Sequence, residues 1–528
     1  MKIEDNFNFK NLFVLDMANN HQGDFNHGLQ IIKECSNVVS RLQVRAAIKF
    51  QFRDLPTFVH VDQRENSKNK HVPRFLSTRL PWSDYKKLKE AATDQGLITI
   101  CTPFDEESVK KIVEMSFDVI KVASCSANDW PLLEEIAGAG LPIIASTGGL
   151  SLEEIDRLVS FFEHRGCDFA LMHCVSIYPT PDHTCNLNNI SNLIERYKGT
   201  VVGWSTHEPP SDTVQVGLAV ALGGQMFERH VGVETNSIKL NGYSSTPTQL
   251  EAWMNAYKRA KTILGSRERT ESLPEEKNAL DGLSRGVFTN KDIKSGEKVL
   301  RKDVTFAFPF SEGQLVTKDW NEEIVAKTNI KKGGPIWVDS IEAPSHTPEM
   351  VLKKAIHAVK ALINKSGIIL NSNFTTEYSH HYGVNNFFEV GVVLINVINR
   401  EYAKKILVQL AGQKHPAHYH KLKEETFIVT WGTLNIFVDG KERVLNPGDI
   451  LTVYPGVWHS FSTATGCVFE EISTTAFAGD SVYRDADINK LTPGERKTNV
   501  DHWGRFQIKE QLINAEEQKK QPDKDGDF

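Results

Sequence analysis

From residue 12 to about 231 the chain alternates short β-rich runs with stretches in which apolar residues recur every three or four positions. The runs that read as strands are LFVLDMA, AAIKFQ, ITICTP, VIKVAS, PIIASTG, FALMHC, VVGWSTH and MFERHV. Between them, WSDYKKLKEAATDQG, EESVKKIVEMS, WPLLEEIAGAG and LEEIDRLVSFFEHRG have the spacing of one-sided helices, with glycine ends that suit helix C-caps. About eight strands with crossover helices, over a length near the ~250 residues usual for the fold, predict an α/β TIM barrel across residues 1–265. Residues 266–278, SRERTESLPEEKN, are polar and charged and read as a linker, and a small β-rich segment follows over 279–344. TPEMVLKKAIHAVKALINKSG reads as an amphipathic helix. From Phe387 onward the alternation in VGVVLINVI, KKILVQL, ETFIVTWGTLNIFVDG and ILTVYPGVWHSF predicts an antiparallel all-β domain within 350–515. The final stretch, 516–528, reads as a disordered, solvated tail.

Composition narrows this picture. At 528 residues the chain is too long for one core, and 24% charged with 40% hydrophobic residues are ordinary globular values. A net charge of -6, without a long run of Lys and Arg, argues against a nucleic-acid partner. The start, MKIEDNFNFK, has no apolar stretch behind a basic end, and no run of about 18 apolar residues occurs, so neither export nor a membrane span is expected. Seven cysteines without a C-x-x-C pair fit a reducing cytoplasm better than a disulfide framework.

Polar residues gather where the proposed barrel strands stop: Asp16, Lys49 and Gln51, Thr102, Lys121 and Ser124, Ser146, His173 and Ser176, Ser205 and His207, Glu228 and His230. A single strand-end Ser or Lys is ordinarily a loop hydrogen-bond donor. Recurrence on most strands points instead to the catalytic mouth of a barrel. Two lysines with several hydroxyls suit a phosphate or carboxylate, hence an anionic substrate. His207 and His230 close consecutive strands, where two neutral imidazoles are placed either to share a divalent metal or to serve as ordinary hydrogen-bonded histidines.

The ordered motifs NNHQGD, IKFQ, CTPFD, IKVAS, PIIASTGG, LMHCVSIYPTP, NLNNI, GWSTH and ERHV resemble the N-acetylneuraminate (sialic acid) synthase family over roughly residues 10–265. The resemblance implies condensation of phosphoenolpyruvate with an open-chain N-acylated sugar, giving a 3-deoxy-2-keto acid and phosphate, with a divalent metal (Mn2+ or Mg2+). It implies that His207 and His230 hold that metal, that Lys49, Thr102, Lys121, Ser124, Ser146 and Ser205 hold phosphoenolpyruvate, and that Gln51 and Tyr178 face the sugar; Ser176 is a further substrate-binding candidate. Asp16 stands where the family usually has a glutamate that bridges metal-bound water, which makes Asp16, His207 and His230 the catalytic candidates. Two departures fall where sugar contacts are expected: IKLNGYSST replaces a GPDH element, and Ser126 stands at a usual glutamate position. The acceptor is therefore free to differ from N-acetylmannosamine.

The middle segment, LSRGVFTNKDIKSGEKVLRKDVTFAFPFSEGQLVTKDW, resembles the small antifreeze-like domain that follows the barrel in these synthases. That implies a homodimer with the module reaching over the partner subunit's active site. The expected RPGNG-like turn reads FAFPFSEG, and neither Arg285 nor Arg301 can be assigned to the sugar from sequence.

Near the C-terminus, HPAHYHKLKEETF holds three histidines and two glutamates in thirteen residues. Gly412, His418, His420, Glu425 and Gly432 fit G-x5-H-x-H-x4-E-x6-G, the first cupin motif; Gly448, YPG and His459 stand for the second. His418 and His420, two apart on a strand, share one face. With Glu425 and His459 they form a three-His, one-carboxylate set suited to a divalent transition metal. The segment resembles a jelly-roll cupin of the sugar-isomerase branch, whose task is either catalytic, isomerising or epimerising a sugar, or plain sugar sensing. A rival for the barrel is a pyruvate aldolase with Lys49 or Lys121 as a Schiff base.

Overall fold

The computed structural model describes residues 6–65, 67–267, 271–342, 347–370, 374–477 and 479–500. The tail expected at 516–528, and the end of the β domain beyond 500, lie outside the described residues. The chain divides into two compact units, Met1–Glu271 and Ser272–Phe528.

In the first unit, β1 (Leu12–Asp16), β2 (Arg45–Phe52), β3 (Ile98–Pro103), β4 (Val119–Val122), β5 (Ile143–Ser146), β6 (Phe169–Cys174), β7 (Val201–Thr206) and β8 (Met226–His230) close into a barrel. Every pairing is parallel and in chain order, and β8 returns to β1 with Asp16 opposite His230. Because side chains alternate across a strand, each stave has one inward series. Leu12, Val14, Ala47, Ile100, Val119, Ile144, Ala170, Met172 and Met226 form the buried apolar filling. The next inward position after several of these is polar: Asp16 after Val14, Lys49 after Ala47, Thr102 after Ile100, Lys121 after Val119, Ser146 after Ile144 and Glu228 after Met226. The interior thus turns from apolar to polar toward the strand C-termini. Gly203 on β7 is part of this fit, since a Cβ there would lie 2.5 Å from the Met226 carbonyl oxygen.

Helices including Phe25–Leu42, Trp82–Asp94, Glu106–Glu114, Trp130–Gly138, Leu152–His164 and Pro247–Leu264 surround the staves. Their apolar stripes and the outward residues of the strands make the larger core. Leu152–His164 begins with a capping box between Ser151 and Glu154. Gly96, Gly140 and Gly166 follow helices at positive φ, as their sequence positions predict, whereas Ser116 takes that conformation after Glu106–Glu114.

The stretch read as a linker is not irregular to its end. Pro274–Asp281 is a helix with no buried residue, started by Pro274 in its first turn and by Glu275 and Glu276 beside the helix N-terminus. After it, short strands Gly286–Thr289, Val304–Ala307, Val325–Ala326 and Ile341–Glu342 enclose a small core around Val287, Ile324 and Ile336. The amphipathic helix Pro348–Ser366 leads into a sandwich of two antiparallel sheets. The larger has the order Ile450–Val453, Glu425–Gly432, Cys467–Thr474, Tyr402–Gln409, Val392–Asn399, Thr375–Ser379, Lys497–Val500. The smaller runs Lys441–Leu445, Leu434–Val438, His459–Ser462, Lys414–His420, Ser481–Tyr483. Among the described residues, no helix is long and apolar enough to cross a membrane.

Candidate functional site

The strand C-termini of the barrel surround a cavity of about 680 Å³. It is lined by Asp16, Lys49, Gln51, Thr102, Lys121, Ser124, Ser146, Ser176, Tyr178, Ser205, His207 and His230, all named from the sequence as catalytic or substrate-binding candidates. His173 does not line it. Met172 and Cys174 face inward, so His173 between them turns out, where Nε2 donates to the Cys185 carbonyl at 2.8 Å and the ring stacks on Trp204.

Two lysines at the cavity floor share one carboxylate. Lys49 Nζ lies 2.6 Å from Glu228 Oε1 and 3.0 Å from Asp16 Oδ2, while Lys121 Nζ lies 3.3 Å from Glu228 Oε2 and donates to Ser146 Oγ at 2.5 Å. Burial works against the charge of both. In Lys49 the two carboxylates overcome it and raise the pKa. In Lys121 burial prevails, helped by the neighbouring Lys49, and the pKa is lowered. Glu228, deeply buried, is nonetheless held below the usual carboxylate range by the two ammonium groups. Sequence reading placed Glu228 at a strand end without a role; its two-residue spacing from His230 was the available signal.

His207 and His230 stand with ring centroids 5.3 Å apart. His207 Nδ1 donates to the Val175 carbonyl at 3.0 Å, which leaves Nε2 as the free lone pair. Burial and the neighbouring imidazole push its pKa down to about 3, and burial also lowers that of His230, so both rings are neutral. His230 Nδ1 lies 3.3 Å from Asp16 Oδ2, and Asp16 also accepts from Gln51 Nε2 at 3.1 Å. Two neutral imidazoles at a polar, open mouth fit a divalent ion. Tyr178 and Tyr243 pack edge-on to each other and around these rings. Across the cavity Arg53, absent from the sequence reading, is sandwiched between Phe75 and Phe104 at 4.1 and 3.6 Å and donates to Gln51. It sits in a loop after β2, beyond the reach of strand periodicity.

Beside His207, Glu208 is fully buried, with Arg229 at 3.8 Å and neither carboxylate oxygen hydrogen-bonded. Burial raises its pKa to about 7. The folded state therefore holds a proton that the unfolded chain releases near the usual carboxylate pKa, and stability falls as pH rises from about 4.5 to 7. Glu208→Gln is expected to raise Tm above wild type at pH 8, with the difference vanishing below about pH 4. Equal Tm differences at both pH values would contradict the buried-carboxyl account.

In the second unit, His418 and His420 end one strand, Glu425 begins the next, and His459 opens the strand paired to His418. Their ligand atoms lie within 4.8 Å of one another, and all four residues are buried. Each imidazole is oriented through Nδ1: His418 to the Pro416 carbonyl at 3.0 Å, His459 to the Val457 carbonyl at 3.1 Å, His420 to Ser481 Oγ at 3.3 Å. Nε2 of His420 and His459 face Glu425 at 3.1 and 3.2 Å. Glu425 Oε2 and His459 Nε2 have no hydrogen bond although buried. Although burial opposes its charge, Glu425 is held well below its usual pKa by Lys423 and the histidines, and burial holds His418 neutral. Such a donor set fits a divalent transition metal. The third histidine of the sequence cluster, His415, is outside it, stacked on Phe461 and 3.2 Å from His381 Nε2.

The two arginines of the middle segment, unassigned from sequence, are placed as follows. Arg301 folds back over Phe306 and donates to the Val304 carbonyl, and Arg285 is exposed.

Comparison with known proteins places these sites in context. The NeuB family model matches residues 42–269, and the cupin domain model matches residues 406–470. The chain is 30% identical to an uncharacterized protein of Methanocaldococcus jannaschii, over 55% of this chain and 82% of that one. It is 26% identical to the N,N'-diacetyllegionaminic acid synthase of Campylobacter jejuni, over 58% of this chain and 90% of the relative. A crystal structure from Chromobacterium violaceum, described as spore coat polysaccharide biosynthesis protein E, superposes with TM-score 0.61 and 41% identity, covering 63% of this chain and all of that one.

Proposed function

The chain belongs to the NeuB family, and from that premise we propose that its barrel condenses phosphoenolpyruvate with an open-chain N-acyl sugar. The products are a nonulosonic or related 3-deoxy-2-ulosonic acid and inorganic phosphate. The observation that carries this reading is the convergence, in one cavity, of two buried lysines and two neutral histidines.

In this reading Lys49, Thr102, Lys121, Ser124, Ser146 and Ser205 take the phosphate and carboxylate of phosphoenolpyruvate, and Gln51, Ser176 and Tyr178 face the sugar. A divalent ion, Mn2+ or Mg2+, held by His207 and His230 would supply Lewis-acid polarisation of the sugar aldehyde. C3 of the enol ester bonds to the aldehyde carbon, water adds to the cationic C2, and the C2–O bond to phosphate breaks. Asp16 orients His230 and Gln51 at the junction of the two substrates. Holding both reactants in line is worth up to about 7 to 11 kcal/mol in favourable systems. A panel of N-acylated and plain aldoses is expected to yield at least one that drives phosphate release from phosphoenolpyruvate, abolished by chelator. No release with any sugar, or release that survives complete metal removal, counts against the reading.

Residues 279–344 are proposed to be an antifreeze-like module of a homodimer, by resemblance; a monomer in sedimentation equilibrium would remove that role. The four converging donors of the second unit favour a second reading, a metal-binding cupin that isomerises or epimerises a sugar. Solvent deuterium incorporation into the sugar without phosphoenolpyruvate, lost in His418→Ala, is the expected result. Saturable binding without exchange would make the domain a sensor.

A further inference from the structure

Beside the metal-ligand cluster of the second unit is a cavity of about 480 Å³. Its walls hold Glu377, Asn396, Lys405, Tyr483, Arg496 and Lys497. The sheet registers put the first three on the inner face. Phe427, two residues after Glu425, pairs with Glu471, Glu471 with Lys405, and Lys405 with Asn396; one rung away, Phe469, Leu407, Leu394 and Glu377 are aligned. Phe427, Phe469 and Leu407 fill an apolar core, with Leu394 packed against it. The charged rung continues that same face, where a purely structural sandwich would continue with apolar side chains, because buried charges are expensive.

The charges are unevenly placed. Near the cluster, Lys423 and Lys405 meet Glu471 at 2.9 and 3.6 Å, Lys423 also contacts Glu425, and Asp480 lies 3.4 Å from His420 Nδ1. At the other end Lys497 pairs with Glu377 at 2.5 Å, whereas Arg496 has no carboxylate partner among the described residues and its Nε is buried without a hydrogen bond. Four cations thus balance four carboxylates, and a divalent ion in the cluster leaves a positive surplus. Tyr483 joins the two ends, its ring stacked on His418 at 5.4 Å and contacting the Arg496 guanidinium at 5.3 Å.

We infer that this cavity binds a small anionic carbohydrate, a sugar acid or sugar phosphate. Its anion sits on Arg496 and Lys497, and its hydroxyl or carbonyl oxygens face the ligand cluster. The inference rests on the metal-binding reading of this unit.

The test uses the full-length protein loaded with Co2+, whose visible absorption reports ligands entering the coordination sphere; the band belonging to this site is the part lost in His459→Ala. Galacturonate, glucose 6-phosphate and glucose are titrated in 0.15 M NaCl. The expected result is that at least one anionic sugar perturbs the band at a Kd at least tenfold below that of glucose, and that Arg496→Gln and Lys497→Met each shrink this preference at least fivefold at unchanged cobalt content. Response to galacturonate alone assigns a carboxylate, and response to glucose 6-phosphate alone a phosphate. Bound cobalt without any anion preference, or a preference untouched by both substitutions, overturns this inference while sparing the metal reading. Absence of a band dependent on His459 overturns both.

Discussion

The His207→Ala protein is expected to lose at least about 10³-fold in kcat/KM for phosphoenolpyruvate-dependent phosphate release, with its fold retained. The size follows from Lewis-acid stabilisation of several kcal/mol, each 1.36 kcal/mol being a factor of ten. The fold should tolerate the change because the ring is neutral, its pKa pushed down to about 3, and its one anchoring bond is to the Val175 carbonyl at 3.0 Å. Losing such a bond costs on the order of 1 kcal/mol. The measurements are phosphate release, circular dichroism and bound metal. One metal equivalent should disappear while the equivalent removed by His459→Ala stays. Full turnover by His207→Ala would detach the imidazole pair from the chemistry, and so would loss of activity at unchanged metal content with a perturbed fold.

The way the site emerges from the chain shows what sequence can and cannot convey. Period-two alternation is enough to find Asp16, Lys49, Thr102, Lys121, Ser146 and His230, because each is the polar continuation of an apolar inward series. The same parity would have turned His173 outward, since Met172 and Cys174 flank it on inward positions. Glu228 shows another limit: its chemistry depends on lysines from β2 and β4, contacts between distant segments that no local pattern encodes. Arg53 lies in a loop and depends on Phe75 and Phe104 for its position. In the second unit the motif spacing reached all four converging donors, whereas Tyr483, on an edge strand, and Arg496, ending the short helix before the other edge strand, join the cavity from outside the motif. The helix Pro274–Asp281 was hidden by its charge, since it has no apolar face to reveal its period.

Lys121 is where the condensing and aldolase readings of the barrel diverge. A Schiff base needs a neutral amine, and burial lowers the pKa of Lys121, whereas Asp16 and Glu228 raise that of Lys49 and keep it charged. Lys49 is therefore a poor carbonyl nucleophile, and Lys121 is the lysine that an aldolase would use. Its surroundings point the other way. Nζ donates to Ser146 and faces Glu228, the arrangement of a charged donor awaiting an anion rather than an amine in an apolar pocket. Lys121→Met is accordingly expected to raise KM for phosphoenolpyruvate about 100-fold, within the 2–5 kcal/mol typical of removing one partner of a buried charge pair. Borohydride treatment of the wild-type protein with pyruvate should leave no adduct by mass spectrometry. A reduced pyruvate adduct on Lys121, absent from Lys121→Met, would instead make the barrel an aldolase and reassign its lysine from phosphate binding to covalent catalysis.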